Sequence, residues 1–294
     1  MKSIIITFLL FTFNLAFSQN QIPTAKDIRK AIAEEISFFK IPPVEVAKIE
    51  NLSVWNGSDS IKVRLYFPDK NKTMYPIIYQ IHGGALVAGD LNTHDNICRL
   101  VAMKTTSIVV AVDYRKPPES PYPASLDDCV SVLEWIQKTA SSWSGDLNNL
   151  TLLGDSGGGL LINSLTVKEK GKFPFKKIVL INPAVDLRNP GDEMYGLVTQ
   201  MYLNGKSAND ALISPILAND ISFLPPTLII TCEKDILKSH GTAWSNKLQK
   251  ANIKVKLIDI PNEDHLGGLW AACHPKAKQA IDETLKFIQD VSDK

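Results

Sequence analysis

Residues 150–160 read LTLLGDSGGGL, an apolar run that breaks into glycine around Ser156. The apolar part is typical of a buried strand, and the residues that follow the serine are typical of a helix. Gly154 and Gly158 lie two residues before and two residues after the serine, which fits the Gly-x-Ser-x-Gly pattern of a sharp strand-to-helix turn. Such a turn strains the serine backbone and favours glycine beside it. Ser156 is therefore a candidate nucleophile.

Glycine runs after strands have two other uses, which are phosphate binding and close packing of the following helix. No Gly-Lys-Ser/Thr follows Ser156, and this argues against a phosphate-binding P-loop. In the turn proposed above, the amide of Gly157 stays free at a helix N-terminus, where negative charge is favoured.

The N-terminus reads as an export signal. Lys2 is the only charge before the apolar run 4–17, and Ala16-Phe17-Ser18 offers small residues for a cut before Gln19. An uncleaved anchor is the alternative, but the polar residues that follow come too soon for a spanning helix. The sequence predicts a signal peptide at 1–18 and a secreted or periplasmic protein.

Composition limits the class of the remaining chain, 19–294, which has the size of a single α/β domain. The formal net charge of the full sequence is +1, and no basic stripe suggests nucleic-acid binding. The four cysteines are far apart and lack zinc-site spacing, so buried thiols are favoured over a metal site; one disulfide could form, and the sequence does not choose its pairing. They are Cys98, Cys129, Cys232 and Cys273.

Apolar runs and helical patterns alternate along most of the chain. The runs typical of strands buried on both faces are 77–81, 108–112, 150–153, 178–181, 228–232 and 255–260. Helical patterns lie at 94–104, 125–140, 157–170, 241–251 and 275–291; a helix at 24–40 and strands at 51–56 and 61–67 precede them. The alternation predicts an α/β fold with a mostly parallel sheet covered on both faces.

One interval breaks the alternation. Between Asn182 and Thr227 lie about 45 residues, too many for a simple crossover. We interpret this insert as a small lid, with a decorated loop as the alternative.

A serine nucleophile needs a base, and the base needs an orienting acid. Asp235 follows the strand at 228–232, and His265 follows the strand at 255–260. Both would lie at the carboxyl edge of the sheet, as would Ser156, and open α/β sheets carry their sites at that edge. The sequence predicts Ser156, Asp235 and His265 as a catalytic triad.

Each assignment has a rival. Glu233 is nearer its strand than Asp235, and Asp264 adjoins the histidine in sequence. His274 is the other candidate base, although Cys273-His274-Pro275 reads better as the start of the last helix.

A second glycine loop, His82-Gly83-Gly84-Ala85, follows the strand at 76–81. It is close to the His-Gly-Gly-Gly type of oxyanion loop. The amides of Gly83, Gly84 and Gly157 are the predicted oxyanion donors. His82 is expected to brace the loop by hydrogen bonding and not to transfer protons.

These motifs resemble those of the hormone-sensitive-lipase-like branch of the α/β-hydrolase esterases. The matching segments are HGG at 82–84, DYRKPPESPYPA at 113–124, GDSGG at 154–158, SP at 214–215, LPPT at 224–227, and DIL at 235–237 with Gly241. The resemblance implies an eight-stranded sheet with its second strand antiparallel, and a cap built from about 24–50 and 186–226. It also implies hydrolysis of small acyl esters with no metal or cofactor.

The chain departs from the family pattern near the site. Ala85 and Leu86 replace a glycine and an aromatic residue, Gly157 replaces an alanine, and a leucine follows His265. Lys116-Pro117 replaces the common Leu-Ala, while Asp113, Tyr114, Arg115 and Glu119 are expected to act as scaffold. These changes should reshape the acyl pocket without removing the oxyanion donors.

The interpretation is an exported serine carboxylesterase for short acyl esters. An acetyl esterase for carbohydrate esters suits the same features, and a non-catalytic binding protein with the hydrolase fold is the alternative of another class. The expected partner is a small-molecule ester, with no nucleic acid and no stable membrane insertion. Apolar residues of the insert could also serve a homodimer.

Overall fold

The computed structural model describes residues 22–39, 42–69, 72–189, 192–265 and 277–290. The predicted signal segment 1–18, Cys273 and His274 lie outside this part of the chain. Eight strands are described: β1 (Lys48–Trp55), β2 (Ser60–Phe67), β3 (Tyr75–Ile81), β4 (Ile108–Asp113), β5 (Gly145–Asp155), β6 (Phe175–Ile181), β7 (Thr227–Cys232) and β8 (Val255–Ile260).

Seven α-helices accompany these strands within the described ranges. They are α1 (Ala25–Phe39), α2 (Asp95–Thr105), α3 (Ala124–Thr139), α4 (Ser156–Glu169), α5 (Glu193–Leu203), α6 (Lys238–Lys250) and α7 (Ala277–Gln289). Two short 3₁₀ turns lie at Ala140–Trp143 and Pro215–Leu217.

The strands form one sheet in the order β1-β2-β4-β3-β5-β6-β7-β8. Strand β2 is antiparallel to both neighbours, and the ladder from β4 to β8 is parallel throughout. The predicted α/β-hydrolase architecture is confirmed, including the antiparallel second strand.

Alternate residues of the central strands face two separate cores. On β4, Ile108, Val110 and Val112 belong to the larger core, which α3, α4 and α6 cover. Val109 and Ala111 point to the opposite core, under α2 and α7. Both faces of a parallel sheet are buried in this way, and this is why its strands read as continuous apolar runs. Cys98, Cys129 and Cys232 are buried within these cores.

The parallel register brings several strand ends to one edge of the sheet. Ile81 pairs with Gly154, Asp155 pairs with Ile181, and Cys232 pairs with Ile260. The loops that carry the candidate site residues leave the sheet directly after these positions, so they converge although they are far apart in sequence.

Two segments lie over this edge. Ala25 and Ile28 of α1 and Val198 of α5 form one apolar cluster with Val87 and Ala88 of the loop after β3. The insert between β6 and β7 therefore contains a helix, α5. Strand β1 already begins at Lys48, so the last residues of the predicted 24–50 cap segment belong to the sheet. None of the helices in the described part of the chain has the length and apolar character needed to cross a membrane.

Candidate active site

Ser156 stands where β5 turns into α4, and its φ of 50° lies in the left-handed region. Strain of this kind in a non-glycine residue persists only where the surroundings enforce it. A Cβ on Gly158 would lie 2.1 Å from the carbonyl oxygen of Ile81, so the elbow packs directly against β3. A Cβ on Gly83 would meet the Asp155 carboxylate at 2.3 Å. The glycines of both loops are required because the two loops touch.

Asp235 and His265 are hydrogen-bonded to each other. Nδ1 of His265 lies 2.9 Å from Oδ2 of Asp235. The carboxylate also accepts hydrogen bonds from the side-chain amide of Asn182 at 2.5 Å and from the N–H of Leu237 at 3.0 Å. With Nδ1–H donated to Asp235, the lone pair of the histidine is on Nε2, the nitrogen that can accept a proton.

The two groups shift each other's pKa values in opposite directions. Burial alone lowers the pKa of His265, but the charge and hydrogen bond of Asp235, with a contribution from Asp155, outweigh burial and raise it above 6.5. Burial raises the pKa of Asp235, yet His265 and the donors from Leu237 and Asn182 bring it below its ordinary value. The pair therefore favours an ionised aspartate beside the imidazole.

The rival acid is engaged elsewhere. The carboxylate of Glu233 accepts the N–H of Asn262 at 2.6 Å and fastens the turn after β8. His274, the rival base, lies outside the described residues.

The loop after β3 differs from expectation at one donor. The N–H of Gly83 donates to Oδ1 of Asp155 at 3.1 Å, so its single proton supports the loop and is not free for an oxyanion. Gly157 lies in the first turn of α4, where backbone N–H groups have no partner within the helix. Gly84, with φ of 128°, turns the loop and accepts the N–H groups of Val87 and Ala88. Gly84 and Gly157 remain the candidate oxyanion donors.

Asp155 is a functional residue that the sequence analysis missed. Its buried carboxylate accepts from Gly83 and lies 3.0 Å from Nε2 of His94. Asp155, the residue before Ser156, is thereby connected to the loop after β3. The position inside the Gly-Asp-Ser motif was visible in the sequence, whereas nothing local indicated His94.

His82 and the segment after β4 support the same loop. Nδ1 of His82 contacts the carbonyl of Gly83 at 2.7 Å, and the hydroxyl of Tyr114 donates to the carbonyl of His82 at 2.8 Å. The two rings stack with centroids 4.3 Å apart. Burial, with the nearby charge of Lys116, lowers the pKa of His82 well below 6.5, so its imidazole stays neutral. This arrangement fits a brace.

Arg29 of α1 holds the far end of the oxyanion loop. Its Nε donates to the carbonyl of Val87 at 2.8 Å, and its two terminal nitrogens bind the carboxylate of Glu119 at 2.7 Å. One of them also donates to the carbonyl of Pro117 at 2.8 Å. Hydrogen bonding to Arg29 lowers the pKa of Glu119 to about 2. The sequence predicted helix α1 but not the hydrogen bonds of Arg29, because no local pattern indicates partners so distant in the chain.

The sequence pattern described as the alpha/beta hydrolase fold matches residues 78–267. The chain belongs to this family, in its hormone-sensitive-lipase-like branch. Carboxylesterase NlhH of Mycobacterium tuberculosis is 30% identical over 97% of this chain and 94% of its own length.

Further relatives are esterases as well. Ethyl acetate hydrolase of Pseudomonas putida is 29% identical over 70% of this chain and 71% of that protein. The solved structure of EstE1, a thermostable carboxylesterase from a metagenomic library, superposes with a TM-score of 0.83 at 26% identity, covering 91% of this chain and 97% of EstE1. This member of the family is a carboxylic ester hydrolase.

The raised pKa of His265 predicts the acidic limb of the pH profile. His265 must be neutral to accept a proton, so kcat/KM should fall as pH drops through a midpoint above 6.5. Replacing Asp235 with Asn removes the charge that raises this pKa, and the residual activity should show its midpoint at lower pH. The measurement is kcat/KM against pH with an activated ester. An unmoved midpoint in Asp235→Asn would contradict the role given to the pair.

Asp155 offers a second prediction, about positioning. Asp155→Ala removes the acceptor of the Gly83 N–H, and a hydrogen bond to a carboxylate is worth about 1.5–3 kcal/mol, so kcat/KM should fall about tenfold or more. Asp155→Asn keeps an acceptor oxygen of the same shape and should lose less. Steady-state kinetics and thermal melting of both variants separate loss of activity from loss of folding. Full activity in a folded Asp155→Ala protein would refute the support role.

Proposed function

We propose that this esterase is exported and hydrolyses short-chain acyl esters with Ser156 as nucleophile, His265 as general base and Asp235 as the acid that orients it. The observation that carries the proposal is the hydrogen bond between His265 and Asp235 at the sheet edge where Ser156 is held in a left-handed turn. The nucleophile, the orienting acid and the base follow β5, β7 and β8, which is the chain order of α/β-hydrolases.

In the acylation step, Oγ of Ser156 attacks the ester carbonyl and its proton passes to Nε2 of His265. The carbonyl oxygen takes up the electron pair, and the N–H groups of Gly84 and Gly157 are the proposed donors to this negative charge. The bond from carbon to the alcohol oxygen then breaks. That oxygen receives the proton from His265 and leaves as the alcohol, while the acyl group stays on Ser156.

Deacylation repeats these transfers with water. His265 takes a proton from water, the hydroxyl oxygen attacks the acyl carbon, and the same amides receive the oxyanion. Collapse returns the proton to Oγ of Ser156 and releases the carboxylic acid. Asp235 keeps the imidazole in the required tautomer and stabilises the imidazolium formed in both steps.

Two observations favour short acyl groups. Leu86 is buried beside the nucleophile, and a Cβ on Gly157 would lie 3.1 Å from both its Cδ2 and its backbone nitrogen, so this wall of the site is already filled. The relative from Pseudomonas putida is named for hydrolysis of ethyl acetate, an ester with a two-carbon acyl group.

Ser156→Ala tests the nucleophile. The variant should keep its fold and lose turnover by about a thousandfold or more, because no oxygen remains to form the acyl-enzyme. Ser164→Ala is the matched control, since Ser164 lies on the same helix and its buried hydroxyl makes no hydrogen bond within the described part of the chain. A fluorophosphonate probe should label wild type and Ser164→Ala only. Normal ester hydrolysis by Ser156→Ala would overturn the proposal.

Acyl-chain length provides a separate readout. Wild-type kcat/KM over a series of 4-nitrophenyl esters should peak at short acyl chains and decline with length, since Leu86 closes the wall beside the nucleophile. Maximal activity on long-chain esters would refute the proposed preference for short acyl groups. It would not affect the assignment of Ser156, His265 and Asp235 as the triad.

Export rests on the sequence at 1–18, where one lysine precedes an apolar run and small residues. When the full chain is expressed with its natural N-terminus in a secreting bacterial host, N-terminal sequencing of the purified protein should begin at Gln19. Recovery from the cytoplasm with residues 1–18 retained would contradict this part.

A further inference from the structure

Asn182 stands directly after β6, which lies between the strand of the nucleophile and the strand of the acid in the sheet. The residue is buried, and its φ of 46° lies in the left-handed region. Asparagine tolerates this backbone conformation better than most other residues do. Its N–H donates to the carbonyl of Ile230, in β7, at 2.7 Å. The backbone of Asn182 is therefore held at the carboxyl edge of the sheet.

The residues after Asn182 connect the same loop to the elements on its two sides. The N–H of Ala184 donates to the carbonyl of Ser156 at 3.2 Å. The N–H of Val185 donates to Nδ1 of His240, in α6, at 3.2 Å. The loop is thus anchored by backbone groups, and removing the Asn182 side chain should leave it in place.

The side-chain amide of Asn182 and the imidazole of His265 share one oxygen of Asp235. Nδ2 of Asn182 donates to Oδ2 at 2.5 Å, and Nδ1 of His265 lies 2.9 Å from the same atom. The other carboxylate oxygen, Oδ1, accepts the N–H of Leu237 at 3.0 Å. The carbonyl oxygen of the Asn182 amide faces the thiol of Cys232 at 3.7 Å, which is consistent with its nitrogen facing the carboxylate.

Sharing one oxygen has a chemical consequence. A hydrogen bond donated to a carboxylate stabilises its negative charge, so the carboxylate attracts a neighbouring proton less strongly. When His265 accepts a proton during acylation, the imidazolium is stabilised by this same oxygen. The donor from Asn182 therefore limits how strongly Asp235 favours the protonated form of His265.

We propose that Asn182 is a positioning residue that acts through Asp235 and keeps the His265 imidazole available as a base. The inference rests on the proposed function and adds a residue to its site. Asp235 must stabilise the imidazolium formed during catalysis, but too strong an attraction would keep His265 protonated in the free enzyme. Asn182 reduces that attraction, while the N–H of Leu237 and the imidazole continue to orient the carboxylate.

The other titratable groups near this pair are neutral where His265 titrates. Against the effect of burial, Asp235 and Asp155 raise the pKa of His265 above 6.5. The charge of Asp235 also acts on His240 in α6 and on Tyr195 in α5. Burial lowers the pKa of His240 below 6.5 and raises the pKa of Tyr195 above its ordinary value. The acidic limb of the pH profile therefore reports on His265.

Asn182→Gly tests the inference. Glycine adopts the left-handed backbone of this position without strain, so the variant removes the amide and keeps the anchored loop. Without this donor, Asp235 should attract the His265 proton more strongly. The midpoint of the acidic limb should then move to higher pH by about half a unit or more. The measurement is kcat/KM against pH with 4-nitrophenyl acetate, together with thermal melting.

The direction of the shift separates this role from a purely structural one. A loosened loop would weaken the hydrogen bond between Asp235 and His265 and move the midpoint to lower pH, as expected for Asp235→Asn. Asn182→Ala removes the same amide but places a Cβ on a left-handed backbone. It should melt at a lower temperature than Asn182→Gly and show the same upward shift of the midpoint.

Asn163→Ala is the matched control. Asn163 is another buried asparagine, on α4, and its amide donates to the carbonyl of Gly159 at 2.9 Å instead of to a carboxylate. The variant also loses a buried amide, so the midpoint of its acidic limb should stay at the wild-type value.

An upward shift in both Asn182 variants, without a shift in Asn163→Ala, supports the inference. An unmoved or lowered midpoint in folded Asn182→Gly overturns it. The nucleophile assignment is tested separately, because a fluorophosphonate probe should label Ser156 in wild type and in Asn182→Gly alike. Failure of the inference about Asn182 therefore leaves that assignment standing.

Discussion

The site depends on the direct contact between the elbow after β5 and the loop after β3. Gly158 allows the elbow to pack on the carbonyl of Ile81, and Gly83 allows the loop to pack on Asp155. At these distances even a methyl group would push the two loops apart. A protein interior is closely packed, so it has no empty space that could accommodate the added methyl group. The contact positions both Ser156 and the backbone amides near it. The conformation of the loop after β3 therefore depends on the conformation of the elbow after β5.

Buried charge then organises the polar groups around this contact. Among the described residues, the Asp235 carboxylate hydrogen-bonds with His265, Asn182 and Leu237, and Asp155 links the Gly83 N–H to His94. A buried carboxylate is costly unless donors surround it, and each donor it recruits becomes fixed in turn. The imidazole of His265 and the oxyanion loop are both held in this way. The shift of the His265 pKa is a consequence of the same arrangement.

The N-terminal helix α1 is connected to the loop after β3 through specific contacts. Arg29 of α1 ties the loop carbonyl at Val87 to Glu119 and Pro117. These hydrogen bonds hold the loop after β3 against α1 and against the segment after β4.

Local sequence patterns were sufficient for the architecture of this protein. Apolar runs and helical spacing predicted the strands and helices, because burial on both faces of a parallel sheet leaves a periodic signal in the chain. The glycine motifs predicted two loops because glycine tolerates conformations and contacts that other residues cannot. Tertiary structure decided which groups meet: Asp235 and not Glu233 at His265, Asp155 at the Gly83 amide, and Arg29 at Glu119. These choices depend on side-chain direction between segments tens of residues apart, and no local pattern encodes that direction.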